Sequence, residues 1–504
     1  MSVWTRDVRA QPWWPLALAL TAGALLPLAF APFEYWPLAI LCPAILMWLW
    51  SGTTAPRAAL LGFAFGLGTF GAGTWWLYIS IRGFGGAPIW LAVALILILV
   101  VLMASYYALL GWLTVKILPA QGPWRWYVGL PALWLLCEWC RGWFLSGFPW
   151  FSLGYSQTDT WLSAYAPVLG VYGVSALLLL QAGALAALTH IRGRSTWTAL
   201  ALVALVWAGG WGLGRVNWTR PTGVAVPVAI LQGAIPEDEK WQLVNLERIK
   251  EQYRRLNDQA LGARLIVWPE AAVPELANEI ARYLAEIQGR ARSRDGDVIM
   301  GVVRLGDNGV DYYNSIIALT GGVAFYDKRH LVMFAETFPV PAFVRSWLRL
   351  LNLPYSDFAP GSDHQAPLAA AGMHLAPSIC YEDAFGSAQL DLVRRSDLLV
   401  NVTNDAWFGH SPARYQHLQI SRMRALETGR YLLRAGNDGV SAIIGPRGEL
   451  LAVAPEYQSA VLRGTVVARS GLSPYTRVGN WAVVCLALGA LATAGYRRGR
   501  PYDR

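Results

Sequence analysis

Charged side chains are scarce in this 504-residue chain. They make up 14% of it, and 55% of its residues are hydrophobic; an ordinary soluble domain carries about 25% charge. That deficit excludes an average water-exposed enzyme. Lysine is scarcer still, at four residues (Lys116, Lys240, Lys250 and Lys328) against 37 arginines. Cysteine is also sparse. Of the five, Cys42, Cys137, Cys140 and Cys485 fall in apolar runs, and Cys380 alone lies in the polar middle of the chain. No disulfide can form within that middle part, so Cys380 is a free thiol, either inert core or a reagent. Missing too are a G-x-S-x-G elbow, a P-loop and any metal-ligand spacing among His190, His330, His364, His374, His410 and His417. No metal and no cofactor is expected.

The formal net charge of +9 is unevenly placed. Residues 1–220 hold eleven Lys/Arg against four Asp/Glu, residues 221–476 hold 25 against 27, and residues 477–504 hold five against one. A nucleic-acid protein would gather its basic residues on a folded polar domain. Here the polar part is near neutral, and no nucleic-acid partner is expected.

What is abundant is apolar sequence, with 26 tryptophans. A helix needs about 20 apolar residues to cross a bilayer core. Candidate runs are Trp14–Ala31, Trp36–Trp50, Ala58–Ile81, Pro88–Leu118, Trp126–Cys140, Trp161–Thr189, Trp197–Leu213 and Val478–Tyr496. Trp13, Trp14, Trp36, Trp50, Trp75, Trp76, Trp124 and Trp126 lie near their ends, as interfacial aromatics do. The first run has no cleavage-like boundary, so no signal peptide is expected. The expectation is a polytopic α-helical membrane protein: seven transmembrane helices within 1–220, an eighth within 477–504, and a polar domain over 221–476. Eleven Lys/Arg collect in loops on one side and five on the other. That bias predicts both termini inside and residues 221–476 outside, which in a bacterial inner membrane means the periplasm.

Residues 221–476 read differently. Short strand-like runs recur at Val226–Leu231, Leu265–Trp268, Val298–Val303, Ser315–Leu319, Leu398–Val402, Val440–Ile444 and Val461–Val467. Helical patterns cover Leu243–Leu261, Glu275–Arg290 and Gln416–Arg434. Alternating strands and helices predict a layered α/β domain.

Two tempting patterns are set aside. Gly66–Gly71 matches a dinucleotide fingerprint but lies inside an apolar span, where small residues permit close helix packing. Cys137–Cys140 matches a redox pair without the strand–helix context such a pair needs.

Three sites in the polar domain carry chemistry. Leu265–Glu270 places a carboxylate just past a buried strand. Tyr326–Val332, followed by Glu336, holds Lys328 in a chain that otherwise prefers arginine. Ala376–Asp383 places Cys380 at the end of an apolar strand beside two acids. A thiol attacks as thiolate; an ammonium favours that form and a carboxylate can take the proton.

The order Glu270, Lys328, Cys380, in Trp-Pro-Glu, Tyr-x-Lys-x-His-Leu-Val and Cys-Tyr-Glu settings, resembles the nitrilase (carbon–nitrogen hydrolase) superfamily. With the flanking spans, the chain is similar to the apolipoprotein N-acyltransferase family of Gram-negative envelopes. Cys137–Trp150, Gln232-Gly233 with Trp241, Tyr313-Asn314-Ser315 and Asn404–Gly409 resemble further family segments. Met333 and Ala335 depart from it, standing where the family commonly has Pro and Gly.

The resemblance implies an αββα sandwich and a two-step acyl transfer. Glu270 is the implied general base and Cys380 the nucleophile that takes an acyl chain from a phospholipid as a thioester. Lys328 stabilises the oxyanion, and Glu336 and Glu382 hold Lys328 and the pocket. Tyr381 and Trp241 are implied substrate-side groups. The acceptor is the α-amine of a diacylglyceryl-cysteine at an apolipoprotein N-terminus, and a monomer acting at the bilayer is expected.

Composition adds a lipid-access expectation. Residues 341–354 combine Phe343 and Trp347 with further apolar residues and two arginines, an interfacial pattern that a partly buried core helix would share. Glu138 and Arg141 stand in an apolar region, where they must pair with one another or face a lipid cavity. Two rival readings use the same residues differently: a membrane-anchored amidase or nitrile hydrolase, and a non-enzymatic lipid or lipoprotein carrier.

Overall fold

The apolar runs of the first 220 residues fold as helices: α1 (Trp14–Leu25), α2 (Leu38–Leu49), α3 (Ala55–Gly73), α4 (Ile89–Ile117), α5 (Leu130–Arg141), α6 (Ala166–Ala187) and α7 (Arg194–Leu213). This computed structural model describes residues 12–120, 122–188, 194–333, 335–337 and 358–498. Two of its helical stretches, Ile89–Ile117 and Trp161–Ala187, are long and apolar enough to cross a membrane by length and composition. Trp14–Ala29, Leu38–Leu49, Trp197–Leu213 and Trp481–Thr493 are apolar but shorter. The glycine run set aside above lies in α3, where Gly66 faces α4 and Gly68 faces α1. A methyl group on Gly68 would sit 2.1 Å from the Leu20 carbonyl oxygen of α1, so glycine lets the two backbones touch.

Residues 226–466 build two six-stranded sheets. The first contains β1 (Val226–Gln232), β2 (Leu265–Val267), β3 (Asp297–Leu305), β4 (Tyr312–Leu319), β5 (Val323–Asp327) and β12 (Ala460–Val466). Its order is β12-β1-β2-β3-β4-β5. The second contains β6 (Leu368–Ala370), β7 (Met373–Ile379), β8 (Leu398–Thr403), β9 (Leu432–Gly436), β10 (Ala442–Ile444) and β11 (Leu450–Val453), in the order β11-β10-β9-β8-β7-β6. Each sheet has three parallel strands at its centre and antiparallel strands outside them. Buried on both faces, the central strands are nearly all apolar, as parallel strands are.

Val228, Ile230, Val267 and Ile299 of the first sheet meet Leu375, Val400, Val402 and Leu433 of the second in one core. Helices α8 (Leu246–Ala260) and α9 (Ala281–Arg292) cover the outer face of the first sheet through Ile249, Tyr253, Leu284 and Ile287. Helix α10 (Ala413–Thr428) lies on the second sheet, giving a helix–sheet–sheet–helix sandwich. Its opposite side packs into the helical unit through Ala413, Ile420, Met423 and Leu426. Helix α11 (Trp481–Arg498) then returns against α5.

Two helical expectations shorten. The pattern over Gln416–Arg434 stops at Thr428, where Gly429 takes a left-handed φ of 65°, and Leu432 onward is a buried strand. A short buried apolar run looks alike as helix or strand, and only the sheet decides. The pattern over Glu275–Arg290 begins as helix at Ala281. Strands β5, β6 and β11 carry no alternation that betrays them, because they are short or exposed edge strands.

Candidate active site

Strand β2 is wholly buried and leaves the sheet through Trp268-Pro269, with Trp268 stacked 4.9 Å from the Tyr253 ring. The next residue, Glu270, is pressed against β3. The Gly301 amide donates to the Pro269 carbonyl at 3.2 Å, and the Ala272 amide donates to the Gly301 carbonyl at 3.0 Å. A methyl group on Gly301 would lie 2.5 Å from the Glu270 Cα. Glycine there is what admits the carboxylate-bearing loop.

Lys328 follows β5 directly. Its amide donates to the Asn314 carbonyl at 2.8 Å, and the residue is 1% exposed. Its Nζ lies 2.8 Å from Glu336 and 3.8 Å from Glu270 Oε1. Asn314 Nδ2 donates to both acids, at 2.8 Å to Glu270 and 2.9 Å to Glu336. The Val332 amide donates to Glu336 at 2.9 Å. One buried ammonium therefore serves two carboxylates, buried Glu270 and partly exposed Glu336, spaced by one amide.

Cys380 directly follows β7 and takes a φ of 50°, the left-handed region that non-glycine residues rarely occupy. The following turn folds Glu382 back. Its carboxylate accepts the Ile379 amide at 2.8 Å, the Arg329 amide at 2.7 Å, the His330 amide at 3.2 Å and the Tyr326 hydroxyl at 3.1 Å. Glu382 thus fastens the cysteine turn to the chain beyond Lys328; it grips backbone, not the ammonium. Glu270, Lys328 and Cys380 all follow strand ends, where α/β sheets place functional groups.

The electrostatics assign protons. Burial opposes the charge on Lys328, but Glu336 and Glu270 outweigh it and hold the ammonium well above its usual range. Burial pushes Glu270 up; Lys328 opposes, and Glu336 adds to the rise. Burial also pushes the Cys380 thiol up, Glu270 adds to that, and Lys328 with a hydrogen bond from Thr403 only partly offsets them. The resting thiol therefore keeps its proton, and attack requires a base. Among the described residues, no group of three or more His, Cys, Asp or Glu is arranged to hold a metal ion.

Residues 22–184 match the family model of the apolipoprotein N-acyltransferase N-terminal domain, and residues 227–471 match that of carbon–nitrogen hydrolase. An apolipoprotein N-acyltransferase of Methylococcus capsulatus is 42% identical over 486 residues, 96% of each chain. One of Pseudomonas putida is 41% identical over 498 residues, covering 96% of this chain and 98% of that one. The chain belongs to the apolipoprotein N-acyltransferase family. As a member it is an acyltransferase, with a carbon–nitrogen hydrolase catalytic domain. Among solved structures, a CN-hydrolase superfamily protein of Xanthomonas campestris is similar at 18% identity and a TM-score of 0.37, over 56% of this chain and all of that one.

The remaining residues marked by the resemblance to the N-acyltransferase family fall in two places. Tyr381 reaches the helical unit: its hydroxyl donates to the Gly147 carbonyl at 3.3 Å, and its ring lies 5.0 Å from Phe385 and 6.2 Å from Trp150. Trp241 lies beyond β1, where its Nε1 donates to Glu237 at 2.7 Å; Glu237 also accepts from Asn404 at 2.6 Å. Next to it, buried Lys240 donates to the Glu270 carbonyl at 3.3 Å. Phe343 and Trp347 lie outside the described residues.

Glu138 and Arg141 are each committed to the loop 148–153. Glu138 accepts from the Leu153 amide at 3.2 Å, and Arg141 donates to the carbonyls of Phe148 and Trp150. Trp134 Nε1 donates to the same Glu138 oxygen at 3.3 Å, and among the described residues no hydrogen bond joins Glu138 to Arg141.

Sequence reasoning missed Asn314 and Lys240 as parts of this site, along with His417, whose Nε2 lies 3.2 Å from the Cys380 carbonyl oxygen. Asn314 stood in a segment already noticed, without a role. Lysine scarcity singled out Lys328 and applied equally to Lys240, but nothing adjacent in sequence tied Lys240 to Glu270. His417 carried no local signal.

Proposed function

We propose that the chain transfers an acyl group from a phospholipid to the α-amine of the N-terminal diacylglyceryl-cysteine of apolipoproteins, through a Cys380 thioester. The observation that carries this is the Glu270–Lys328–Glu336 cluster, its lysine and Glu270 buried, facing a cysteine held at positive φ. In the first half-reaction, Glu270 takes the thiol proton as Cys380 Sγ attacks the ester carbonyl. Lys328 Nζ stabilises the tetrahedral oxyanion. Collapse forms the thioester, and the lysophospholipid alkoxide leaves with the proton from Glu270. In the second, Glu270 takes a proton from the incoming amine, the thioester carbonyl is attacked, and the thiol is released with an amide formed. Glu336 holds Lys328 in place, Glu382 fixes the turn, and Tyr381 and Trp241 stand on the substrate side.

The apolar helices packed against the sandwich favour lipid substrates over the amides or nitriles of a hydrolase, since both reactants are anchored in a bilayer. In this reading residues 1–220 form a seven-helix membrane domain, residues 221–476 the periplasmic catalytic domain, and residues 477–504 the eighth span and a cytoplasmic tail. The enzyme works as a monomer in the inner membrane, and Phe343 and Trp347 gate lipid entry.

The test is intact-mass analysis after incubation with an acyl-labelled phospholipid. The wild type should gain one acyl mass and Cys380→Ala none; no adduct on either overturns the acyltransfer mechanism. Ammonia release from an amide without an adduct from lipid would select the hydrolase, and lipid binding without any adduct the carrier.

A further inference from the structure

The Asn404–Gly409 segment has no task in the mechanism above, yet its Asp405 belongs to a buried charged cluster built against the Cys380 backbone. The other members are Asp383, one residue before the end of the turn that begins at Cys380, His417 on α10 and Arg434 on β9, all fully buried. His417 Nδ1 lies 2.8 Å from Asp405 Oδ1. Its Nε2 lies 3.1 Å from Asp383 Oδ1 and 3.2 Å from the Cys380 carbonyl oxygen. Arg434 donates to Asp405 at 2.6 Å and to Asn401 Oδ1 at 2.9 Å. Asn401 Nδ2 donates to the same Cys380 carbonyl at 3.2 Å.

Two carboxylates and one guanidinium leave one negative charge unmatched, and an unmatched buried charge is expensive. An imidazolium at His417 completes the balance. Burial and Arg434 oppose that charge, but Asp383 and Asp405 outweigh them and raise His417 to about 9. Two further cations face the cluster but are paired elsewhere: Arg414, bridged to Asp438 and Glu456, lowers Asp405 together with Arg434 and His417, and Arg424, bridged to Glu427, acts on Asp383. Both ring nitrogens then carry hydrogen, and Nε2 has a proton to give to the Cys380 carbonyl. A non-glycine residue at positive φ persists only where its surroundings over-determine it. Here two side chains grip the carbonyl of that residue.

We propose that His417, clamped between Asp383 and Asp405, is a positioning residue for acyl transfer: through Nε2 it holds the Cys380 carbonyl and so keeps the thiol aimed at Glu270 and Lys328. This rests on Cys380 being the nucleophile. No proton passes through His417 in the reaction; Glu270 remains the base.

The test uses the purified full-length protein in detergent, with acyl-labelled phospholipid and single-turnover intact-mass detection of acyl-Cys380. His417→Asn keeps a polar nitrogen near Nδ1 and removes the donor at Nε2. His417→Gln sets an amide nitrogen close to Nε2. Misplacing a reacting atom by about 1 Å costs on the order of 10²-fold. His417→Asn is therefore expected to slow acylation about 10²-fold with the lipid KM unchanged. His417→Gln should acylate within about tenfold of wild type, the amide replacing the lost donor. Equal rates in wild type and both variants, or equal losses in both variants, overturn the proposal; the latter would make the ring a packing element. Should His417→Asn fail to accumulate, Asn401→Ala removes the second donor to that carbonyl and carries the same expectation, and unchanged acylation there overturns it. A wild type that gains no acyl group sinks the nucleophile reading itself. An acylated wild type matched by both His417 variants sinks this inference alone.

Discussion

Lys328 is a compact cation enclosed by two acids, and its neighbours set the chemistry of the pocket. The ammonium is held protonated and the thiol is pushed up, and in the proposed transfer Glu270 removes the thiol proton. Glu270→Gln is expected to slow acylation by about 10²–10⁴-fold, measured as single-turnover adduct formation. Lys328→Met should cost about 10²–10³-fold, the scale of a lost oxyanion donor. The pH dependence has a definite sign. Burial first, and Glu336 next among the raising causes, lift Glu270, and the base works only when ionised. The acid limb of kcat/KM for acylation should therefore lie above the ordinary carboxylate range, activity falling as pH drops through it. Glu336→Gln removes one raising charge and should move that limb to lower pH; a limb that stays or rises contradicts the assignment. His417 offers a stability signature of opposite sense. Its folded value of about 9 exceeds the usual value near 6.5. Its contribution is fully present below about 6.5 and is lost as pH rises through about 9. The melting temperature should fall across that window in wild type and hold flatter in His417→Gln.

At the scale of elements, the site depends on how strands end. Glu270 and Cys380 follow β2 and β7, one parallel strand from each sheet, and Lys328 follows edge strand β5. Gly301 in β3 decides how close the Glu270 loop can come. Gly301→Ala places a methyl group 2.5 Å from the Glu270 Cα, against backbone that cannot rotate away. Acylation should drop by about tenfold or more, since a misplaced base behaves like a weakened one, while α8 and α9 stay folded by circular dichroism. Full activity in Gly301→Ala would show that the close approach does not matter. The strand ends were legible because a carboxylate, a rare lysine and a lone thiol each stood just past an apolar run. Asn314 was not, because an asparagine inside a strand looks like any polar residue. Its meaning comes from β4 lying between Glu270 and Glu336.

At the scale of the whole molecule, α10 joins the two halves. It is buried along nearly its full length, between the second sheet and the helical unit. Polar contacts reinforce the apolar ones: Trp150 Nε1 donates to Gln416 at 2.6 Å, the Ala31 amide to Gln419 at 3.2 Å and the Val171 amide to Glu427 at 2.8 Å. Residues 221–476 expressed alone would expose Ile420, Met423 and Leu426 to water. That fragment is expected to aggregate or lose cooperative melting in size-exclusion and calorimetric measurements. A soluble, cooperatively melting fragment would show the halves to be independent. The same contacts give Glu138 and Arg141 their purpose, since the loop they hold carries Trp150 to α10 and to Tyr381. Orientation is testable separately: a periplasm-active reporter fused at residue 230 should be active, and an inactive one there would reverse the Lys/Arg reading.

The amino-acid sequence alone determined the division into apolar ends and a polar middle, the α/β character of that middle, and the position of Glu270, Lys328 and Cys380 just past apolar runs. Those features are local: hydropathy, periodicity and a reactive group beside a strand are written within a few residues of one another. Only the tertiary structure decided that Asn314 separates two carboxylates, that Glu382 grips backbone, that Gln416–Arg434 divides into helix and strand, and that His417 reaches the Cys380 carbonyl. Each of these rests on contacts between residues 20 or more positions apart, as Glu382 makes with the Arg329 and His330 amides, or on a choice that a sheet makes for a run of sequence that would otherwise suit either conformation.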